Sequence, residues 1–367
     1  MIMLNHLGKD MKKNNSTLPM LAVVKDQAQL GFSLIKTSIA TNLNSEEVLI
    51  QVISTSFCGT DAHLYEYNPW AQKRIKLPLI VGHELSGKII KCGANVKDLE
   101  IGDLVSAESH IVCGKCEFCL RGEGHICENT KVIGVDTQGC FANYIKLPAK
   151  NCYKLPKSFD PLLLSILEPF GNATHTMMHF DVFNKDVAIV GCGPIGIMGL
   201  DIALALGARK VIAIEIKPFR QELAKKIGAH LVIDPTKEDV VKRILEETNG
   251  RGVDVIGEFS GNTTAILQAF NYLKSGGGFS ILGLPSHDIS LNIAEKIVTK
   301  GIQIYGVTGR RLPDTWEQVM FLLNNHHLHL KQIVTHILPL REVNKAGELM
   351  LKGECGKIIL IPEDINE

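Results

Sequence analysis

The stretch "DVAIVGCGPIG", Asp186 to Gly196, decides how this chain is read. "DVAIV" is a continuous apolar run, as expected of a strand covered on both faces. Gly191, Gly193 and Gly196 follow in G-x-G-x-x-G spacing, and "PIGIMGLDIALALGA" continues at helix length. The glycine motif alone is weak; a strand before it and a helix after it supply the context it needs. Gly191 permits the tight turn, Gly193 lets backbone N–H groups approach a pyrophosphate, and Gly196 lets helix and strand pack closely. The helix N-terminus then favours phosphate charge. Glu215 ends the next strand, "KVIAIEI". Its carboxylate can accept hydrogen bonds from adenosine ribose hydroxyls and repels a 2′-phosphate, which favours NAD over NADP. Lys217 and Arg220 stand nearby and weaken that preference. They read either as solvated charges at a helix start or, for Arg220, as a residue lying against adenine or ribose.

Downstream, "HLVIDP", "VDVIGEFS", "GGFSILGL" and "GIQIYGV" add four strands, mostly separated by helix-length segments. Six strands alternating with helices predict an α/β, doubly wound parallel sheet of Rossmann type. Upstream, from about Leu21 to Lys150, "EVLIQVISTS", "ELSGKIIKCG", "GDLVSAES" and "GCFANYIKLPA" are short apolar strands split by Gly, Pro and polar turns. That pattern predicts a mainly β, barrel-like or sandwich-like lobe. The boundaries expected are a flexible tail at 1–20, a first domain at 21–168, the cofactor domain at 169–309, and a return at 310–367 that packs back on the first domain through helix and then strand ("GKIILIPE").

The chain has 367 residues, 45% hydrophobic and 21% charged, with 39 Lys plus Arg against 39 Asp plus Glu. Two domains fit this length. Zero net charge gives no support to a nucleic-acid or acidic-membrane partner. No apolar run reaches the roughly 18 residues of a membrane span. "MIMLNHLGKDMKKNNSTLPM" lacks the apolar stretch of a secretory signal, so a cytoplasmic protein is expected.

"VCGKCEFCLRGEGHIC", Val112 to Cys127, gathers Cys113, Cys116, Cys119 and Cys127. A reducing compartment disfavours disulfides, and C-x2-C-x2-C-x7-C suits tetrahedral thiolate zinc. An iron–sulfur cluster or four free thiols are the alternatives. A site closed by four thiolates leaves no position for substrate, so a structural zinc lobe at about 110–130 is expected and any working metal must sit elsewhere.

"FCGTDAH" holds Cys58, Thr60, Asp61 and His63; "GHELSGKIIKCGANV" holds His83 and Glu84; "LEPFGN" holds Glu168. Singly, each has a bland reading as a buried thiol, a core or surface histidine, or a paired charge. Together they carry a resemblance. "GHELSGKIIKCGANV" matches G-H-E-x2-G-x5-G-x2-V at Gly82, His83, Glu84, Gly87, Gly93 and Val96, and "IGDLV", the cysteine lobe and the glycine motif follow in order. The chain thus resembles the zinc-containing medium-chain alcohol dehydrogenase family over nearly all its length, which implies a GroES-like first domain. "CGTDAHLYEYNPWAQKRIKLPLIVGHE", "SHIVCGKCEFCLRGEGHICENTKVIGVDTQGCFANYI", "EPFGNATHT", "GCGPIGIM" and "TGRRLPDTW" draw the resemblance to its branch acting on the 3-hydroxyl of L-threonine.

The resemblance implies a catalytic zinc on Cys58 and His83, with Glu84 a ligand or close neighbour. Glu168 stands at the place of an acidic ligand that exchanges with water, and Thr60 and His63 match a proton-relay pair; Asp61 reads as structural. It implies cofactor contacts at Ile195, Glu215, Arg220, Leu282, Gly283 and Leu284, and at Val307 and Thr308, where the family pattern has a tyrosine in place of Thr308. Two zincs per chain, NAD and a homotetramer are implied with them. The expected reaction oxidises threonine to 2-amino-3-oxobutanoate: the hydroxyl enters the open zinc position, loses its proton, and hydride passes to the nicotinamide. Thr60 would pass the proton and His63 deliver it, imidazoles titrating near neutrality.

Candidates for the substrate ammonium and carboxylate are Glu168 and Arg310 or Arg311. Tyr65, Tyr67 and Trp70 read as a rim over the cleft or as surface packing. The "HHLH" at His326, His327 and His329 reads as a helix end turning into a loop. A polyol or 2,3-butanediol dehydrogenase is the nearest alternative, and a non-catalytic redox or binding homologue a remote one. A zinc-free quinone reductase conflicts with both cysteine-bearing motifs.

Overall fold

The computed structural model describes residues 17–285 and 287–365. Most of the expected flexible tail, residues 1–16, lies outside them. Residues 17–20, placed in the tail from sequence, belong to a strand, Thr17–Lys25, paired antiparallel with Ser33–Ala40. That strand is buried from Met20 onward, because the apolar run "MLAVV" covers one side of the first domain.

The cofactor domain is the six-stranded sheet its sequence predicts. Across it the order is Leu231–Ile233, Lys210–Ile214, Asp186–Val190, Val253–Glu258, Leu273–Ile281 and Gln303–Gly306, and every pair is parallel. All five residues of Asp186–Val190 are buried. Helices on both faces cover the sheet, as a parallel sheet requires. The order reverses at Asp186–Val190, and ligand crevices form at such a switch point.

The first domain is built on a mainly antiparallel sheet running Cys152–Lys154, Leu104–Ala107, Leu85–Cys92, Glu47–Phe57, Lys357–Ile361, Val334–Pro339, with Tyr144–Pro148 also on Glu47–Phe57. The chain therefore returns to its first domain with two strands rather than the single one read from sequence. Val334–Pro339 pairs parallel with Lys357–Ile361, and its "VTHILP" alternates too poorly to announce a strand. At the start of the return, Arg310 and Trp316 already bond Glu108 of the first domain. In the helix Asp314–Asn325, Trp316, Val319 and Leu322 join the core of the cofactor side.

Two registers position the site. Thr55 pairs with Leu85, which sets His83 and Glu84 beside the end of Glu47–Phe57. Phe57 pairs with Ile358, which sets Lys357 beside that same end.

Candidate metal centre and cofactor cleft

Cys58 follows the last residue of Glu47–Phe57 and stands as N-cap of the helix Gly59–Glu66. Its N–H donates to Asp61 Oδ2 at 2.9 Å, so Asp61 fixes the turn, as expected of a structural residue. Ligand atoms of Cys58, His83 and Glu84 lie within 4.8 Å of one another. His83 is 5% exposed and Glu84 is fully buried. Glu84 Oε2 takes the Ser56 hydroxyl and the Lys357 ammonium, the latter at 2.5 Å. Lys357 Nζ also donates to Phe57 O at 3.0 Å. Glu84 Oε1 has no hydrogen-bond partner, while His83 Nδ1 faces Asp61 Oδ1 at 3.6 Å, an ion-pair distance. A buried carboxylate oxygen left in this way is costly unless something bonds it. The surroundings are anionic: burial opposes a charged His83 ring, yet Asp61 and Cys58 hold its pKa well above 6.5. A mixed S, N, O donor set in an anionic, buried pocket fits zinc. Cys58, His83 and Glu84 are the residues that would hold it.

Glu168 is not in that set. It opens the helix Leu167–Met177, 3% exposed, and its Oε1 accepts from Ser109 Oγ at 2.5 Å and lies 2.9 Å from Arg310 Nη2. Arg310 is 1% exposed. It is bound through Nε to Glu108 Oε2 at 2.6 Å, through Nη1 to Asn172 Oδ1 at 2.9 Å, and through Nη2 to Glu108 Oε1. Burial opposes the Glu108 charge, but Arg310 and His110 hold its carboxyl far below the usual range. Arg310 is therefore no open receptor for a substrate carboxylate, and Glu168 already has a cation. Arg311, nearly half exposed, keeps that possibility.

Thr60 is part-buried and His63 exposed on the helix Gly59–Glu66. Spaced i, i+3, they share a helix face running from the buried end towards solvent. His63 Nδ1 lies 2.8 Å from Asn68 Nδ2. Tyr65 is no rim residue: it is buried and packs its ring over Gly347, where a Cβ would sit 2.7 Å from it. Tyr67 lies over Lys25, while Trp70 is 42% exposed near His63.

The four cysteines of the lobe lie within 4.8 Å of one another, and all ten cysteines are free thiols. Cys116 and Cys127 Sγ are 3.8 Å apart, beyond a disulfide bond. Cys127 Sγ accepts from the N–H groups of Cys113 and Asn129, both at 3.4 Å. Backbone amides of Lys115 and Cys116 bring the Cys113 thiol down to about 6. Burial pushes the Cys119 thiol up to about 12, so the four sulfurs do not ionise alike, but four thiols gathered this closely suit zinc.

In the cofactor domain, Gly191 has φ +83°, and a Cβ there would meet Ser260 at 2.7 Å. A Cβ on Gly196 would fall 1.9 Å from Gly191 O. Gly193 caps the helix Pro194–Ala205 and faces a cleft of about 420 Å³ lined also by Glu215, Arg220, Ser260 and Asn262. Glu215 is anchored there by the N–H groups of Cys192, Ile216 and Lys217, each at 2.8 Å. Arg220 donates Nε to Cys355 O, and its Nη1 is the atom nearest a Cβ built on Gly193. Ile195 lies in the first turn of that helix. The N–H groups of Leu282 and Gly283 bind Glu258 O; Leu284 is 87% exposed. Val307 N–H binds Ile281 O, and Thr308 is exposed beside it.

His326 caps the helix Asp314–Asn325 as it ends, and His329 Nδ1 lies 2.8 Å from Asp201. Among the described residues only the two clusters above gather three or more metal-ligand atoms. Sequence reading missed Glu108, Ser109 and Lys357. A signal existed for Lys357, since a lysine opening the buried run "KIILI" needs a partner.

Comparison with known proteins agrees with this geometry. Residues 44–157 match the alcohol dehydrogenase GroES-like domain and residues 194–325 the zinc-binding dehydrogenase domain. L-threonine 3-dehydrogenase of Caldanaerobacter subterraneus subsp. tengcongensis is 50% identical over 94% of this chain and 99% of its own. That of Bacillus subtilis is 44% identical over 94% and 99%. A solved alcohol dehydrogenase of Thermotoga maritima superposes with TM-score 0.84 at 30% identity, covering 94% of this chain and all of the other. With its GroES-like β domain, its switch-point cleft and its two cysteine-bearing clusters, the chain belongs to the zinc-containing medium-chain alcohol dehydrogenase family.

Proposed function

We propose that this protein oxidises the 3-hydroxyl of L-threonine with NAD, giving 2-amino-3-oxobutanoate. The observation that carries the chemistry is the Cys58–His83–Glu84 cluster, three ligand types gathered within 4.8 Å, with one buried Glu84 oxygen left without a hydrogen-bond partner. The named relatives supply the substrate.

A zinc bound there would polarise the substrate hydroxyl and lower its pKa. The chain's own residues do the rest. Asp61 holds the Cys58 turn, and Lys357 with Ser56 orients Glu84. Thr60 takes the released proton at its hydroxyl and His63 carries it to solvent. Glu215, fixed by three backbone donors, selects a free ribose 2′-hydroxyl and so NAD. Gly191, Gly193 and Gly196 leave room for the pyrophosphate; Ile195, Arg220, Leu282, Gly283, Leu284, Val307 and Thr308 border the cofactor. Arg311 takes the substrate carboxylate. Cys113, Cys116, Cys119 and Cys127 hold the second, structural zinc. Ten free thiols fit a cytoplasmic enzyme. A homotetramer follows the family resemblance.

The test is NADH formation by metal-replete protein with threonine, sorbitol and 2,3-butanediol. Threonine leading the panel is the expected result. Good turnover of a diol with none of threonine overturns the substrate, and no turnover of any alcohol overturns the enzyme.

A further inference from the structure

Glu258 closes the strand Val253–Glu258, paired with Val190 at the switch point, and its side chain is fully buried. The buried carboxylates of Glu84 and Glu168 each face a buried cation, whereas Glu258 makes no ion pair among the described residues. N–H and O–H groups serve it instead. Its Oε1 accepts from Ser260 N–H at 2.8 Å, from Ser260 Oγ at 2.5 Å and from Gly261 N–H at 2.9 Å. Its carbonyl accepts from Leu282 N–H at 3.0 Å and from Gly283 N–H at 3.2 Å. One residue thus binds two segments, the turn after its own strand and the segment after Leu273–Ile281. Glycines let the two meet. A Cβ on Gly283 would fall 2.2 Å from Gly261 N and 2.4 Å from Glu258 Oε2, and one on Gly261, at φ +62°, would fall 2.6 Å from Leu284 O. On its other side the turn is joined to the glycine motif: Phe259 N–H donates to Val190 O at 2.8 Å, and Ser260 packs on Gly191. Ser260 Oγ also accepts from Asn262 N–H at 3.0 Å, and Asn262 caps the helix Thr263–Tyr272. Phe259, Ser260 and Asn262 line the cofactor cleft together with Glu215.

We infer that Glu258 is a positioning residue for the cofactor: its carboxylate holds the Phe259–Gly261 turn in fixed register with the Leu282–Leu284 segment, so that a dinucleotide meets both as one preformed ledge. The inference rests on the cofactor reading above. A turn by itself needs no buried charge, since Asn or Ser supplies an acceptor at lower desolvation cost. Burial pushes the Glu258 carboxyl pKa up, and the Ser260 hydroxyl and neighbouring N–H groups oppose this. Such an anchor settles in advance an ordering that the cofactor would otherwise have to impose, and imposed ordering is subtracted from affinity. Every bond of Glu258 described above lies within the cofactor domain, so its loss should fall on NAD and not on the alcohol.

The test uses full-length, metal-replete protein with NADH as the probe, its binding read by fluorescence titration, and threonine turnover measured beside it. Two conservative variants separate reach from charge. Glu258→Asp keeps the charge and shortens the reach; Glu258→Gln keeps the reach, and an amide oxygen for Ser260 and Gly261, but removes the charge. Glu258→Asp should lower NADH affinity about tenfold and raise the KM for NAD alongside, the worth of one or two net hydrogen bonds. Its KM for threonine at saturating NAD should move by less than about twofold. Glu258→Gln should bind NADH within about threefold of the parent. A lower Tm with parent-like NADH affinity in Glu258→Asp would leave the residue a structural part only and overturn the inference. A Gln variant as weak for NADH as the Asp variant, or a threonine KM that rises as far as that for NAD, overturns it too. Failure of the cofactor reading looks different: the parent would not bind NADH, or Glu215→Ala would bind it as tightly as the parent.

Discussion

The four-cysteine lobe and the Cys58–His83–Glu84 cluster both gather ligand atoms, thiols among them, with the spacing to hold a dication, in opposite settings. The lobe's Cys113, Cys116 and Cys119 are partly exposed, and Leu120 on its surface is 75% exposed. The Cys127 sulfur is held by two backbone N–H groups, and the lobe's charges, Arg121 with Glu117 and Glu123, face water. The second cluster sits at the end of the strand Glu47–Phe57, and its charges are balanced by buried side chains. A short loop with four like ligands builds a closed knot. Three unlike ligands from two strand ends, with a carboxylate pinned at one oxygen only, build a site with capacity left over. The difference teaches that chemistry here depends on the buried counter-charges more than on the number of sulfurs.

Cys58→Ala should produce the largest effect that separates the two. It removes a ligand at the open site while leaving the lobe whole. Threonine turnover should fall by at least about a thousandfold, the scale for loss of an essential group, with bound zinc dropping from two per chain to one and the fold retained by circular dichroism. Two zincs in the purified variant would dissolve the distinction.

Lys357→Met comes next. It strands the fully buried Glu84 carboxylate without its cation, a change that costs roughly 3–5 kcal/mol when one member of a buried pair is removed. Urea unfolding should show this loss. Lys357→Arg keeps the charge and should recover most of it. A Met variant as stable as the parent would show that Lys357 is not needed to balance the cluster.

Cys116→Ser tests the other side. The lobe has no buried apolar core of its own, so loss of its knot should open it locally rather than unfold the chain. Limited proteolysis should cut between residues 112 and 129, while kcat falls by less than about tenfold because no lobe cysteine touches the reacting atoms. A collapse of kcat as deep as that of Cys58→Ala would make the lobe part of the active centre.

How much of this was legible in the sequence follows from how local each interaction is. The parallel sheet, the glycine turn and the cysteine knot are written in contiguous residues, and all six cofactor strands appear where their apolar runs lie. His83 and Glu84 were readable through a contiguous signature, and Cys58 through the family resemblance that signature carries. The counter-charges were not. Arg310 meets Glu108 across 202 positions and Lys357 meets Phe57 across 300, and no periodicity in one segment announces a partner that distant. For the same reason the sequence offered Arg310 as a pocket receptor for the substrate carboxylate, when the fold commits its guanidinium to Glu108. The strand Val334–Pro339 escaped because its alternation is weak and its partner lies later in the chain.

The lobe packs against the helix Leu167–Met177, and this contact yields the smallest effect. His125 of the lobe meets His175 of the helix Leu167–Met177 edge to face at 5.6 Å, and His175 Nδ1 lies 2.9 Å from Gly309 O in the loop that carries Arg310. Burial lowers the His175 pKa to about 4; the Gly309 carbonyl opposes this, and His125, Arg311 and His179 add to it. The folded chain thus binds the proton less readily than the unfolded one, whose imidazole titrates near 6.5. Between those values the unfolded state holds more protons, so stability rises with pH. The contribution is complete above about pH 6.5 and is lost as pH falls towards 4. Its size should be on the order of 1–2 kcal/mol after allowance for partial solvent contact. His175→Gln keeps a donor for Gly309 O but cannot titrate. The acid ligands titrate alike in both proteins, so the difference in urea midpoint between parent and variant, followed from pH 7 to pH 4.5, isolates this group. The parent should lose ground on the variant as the solution is acidified. Parallel curves would mean that the contact between the lobe and this helix carries no proton linkage.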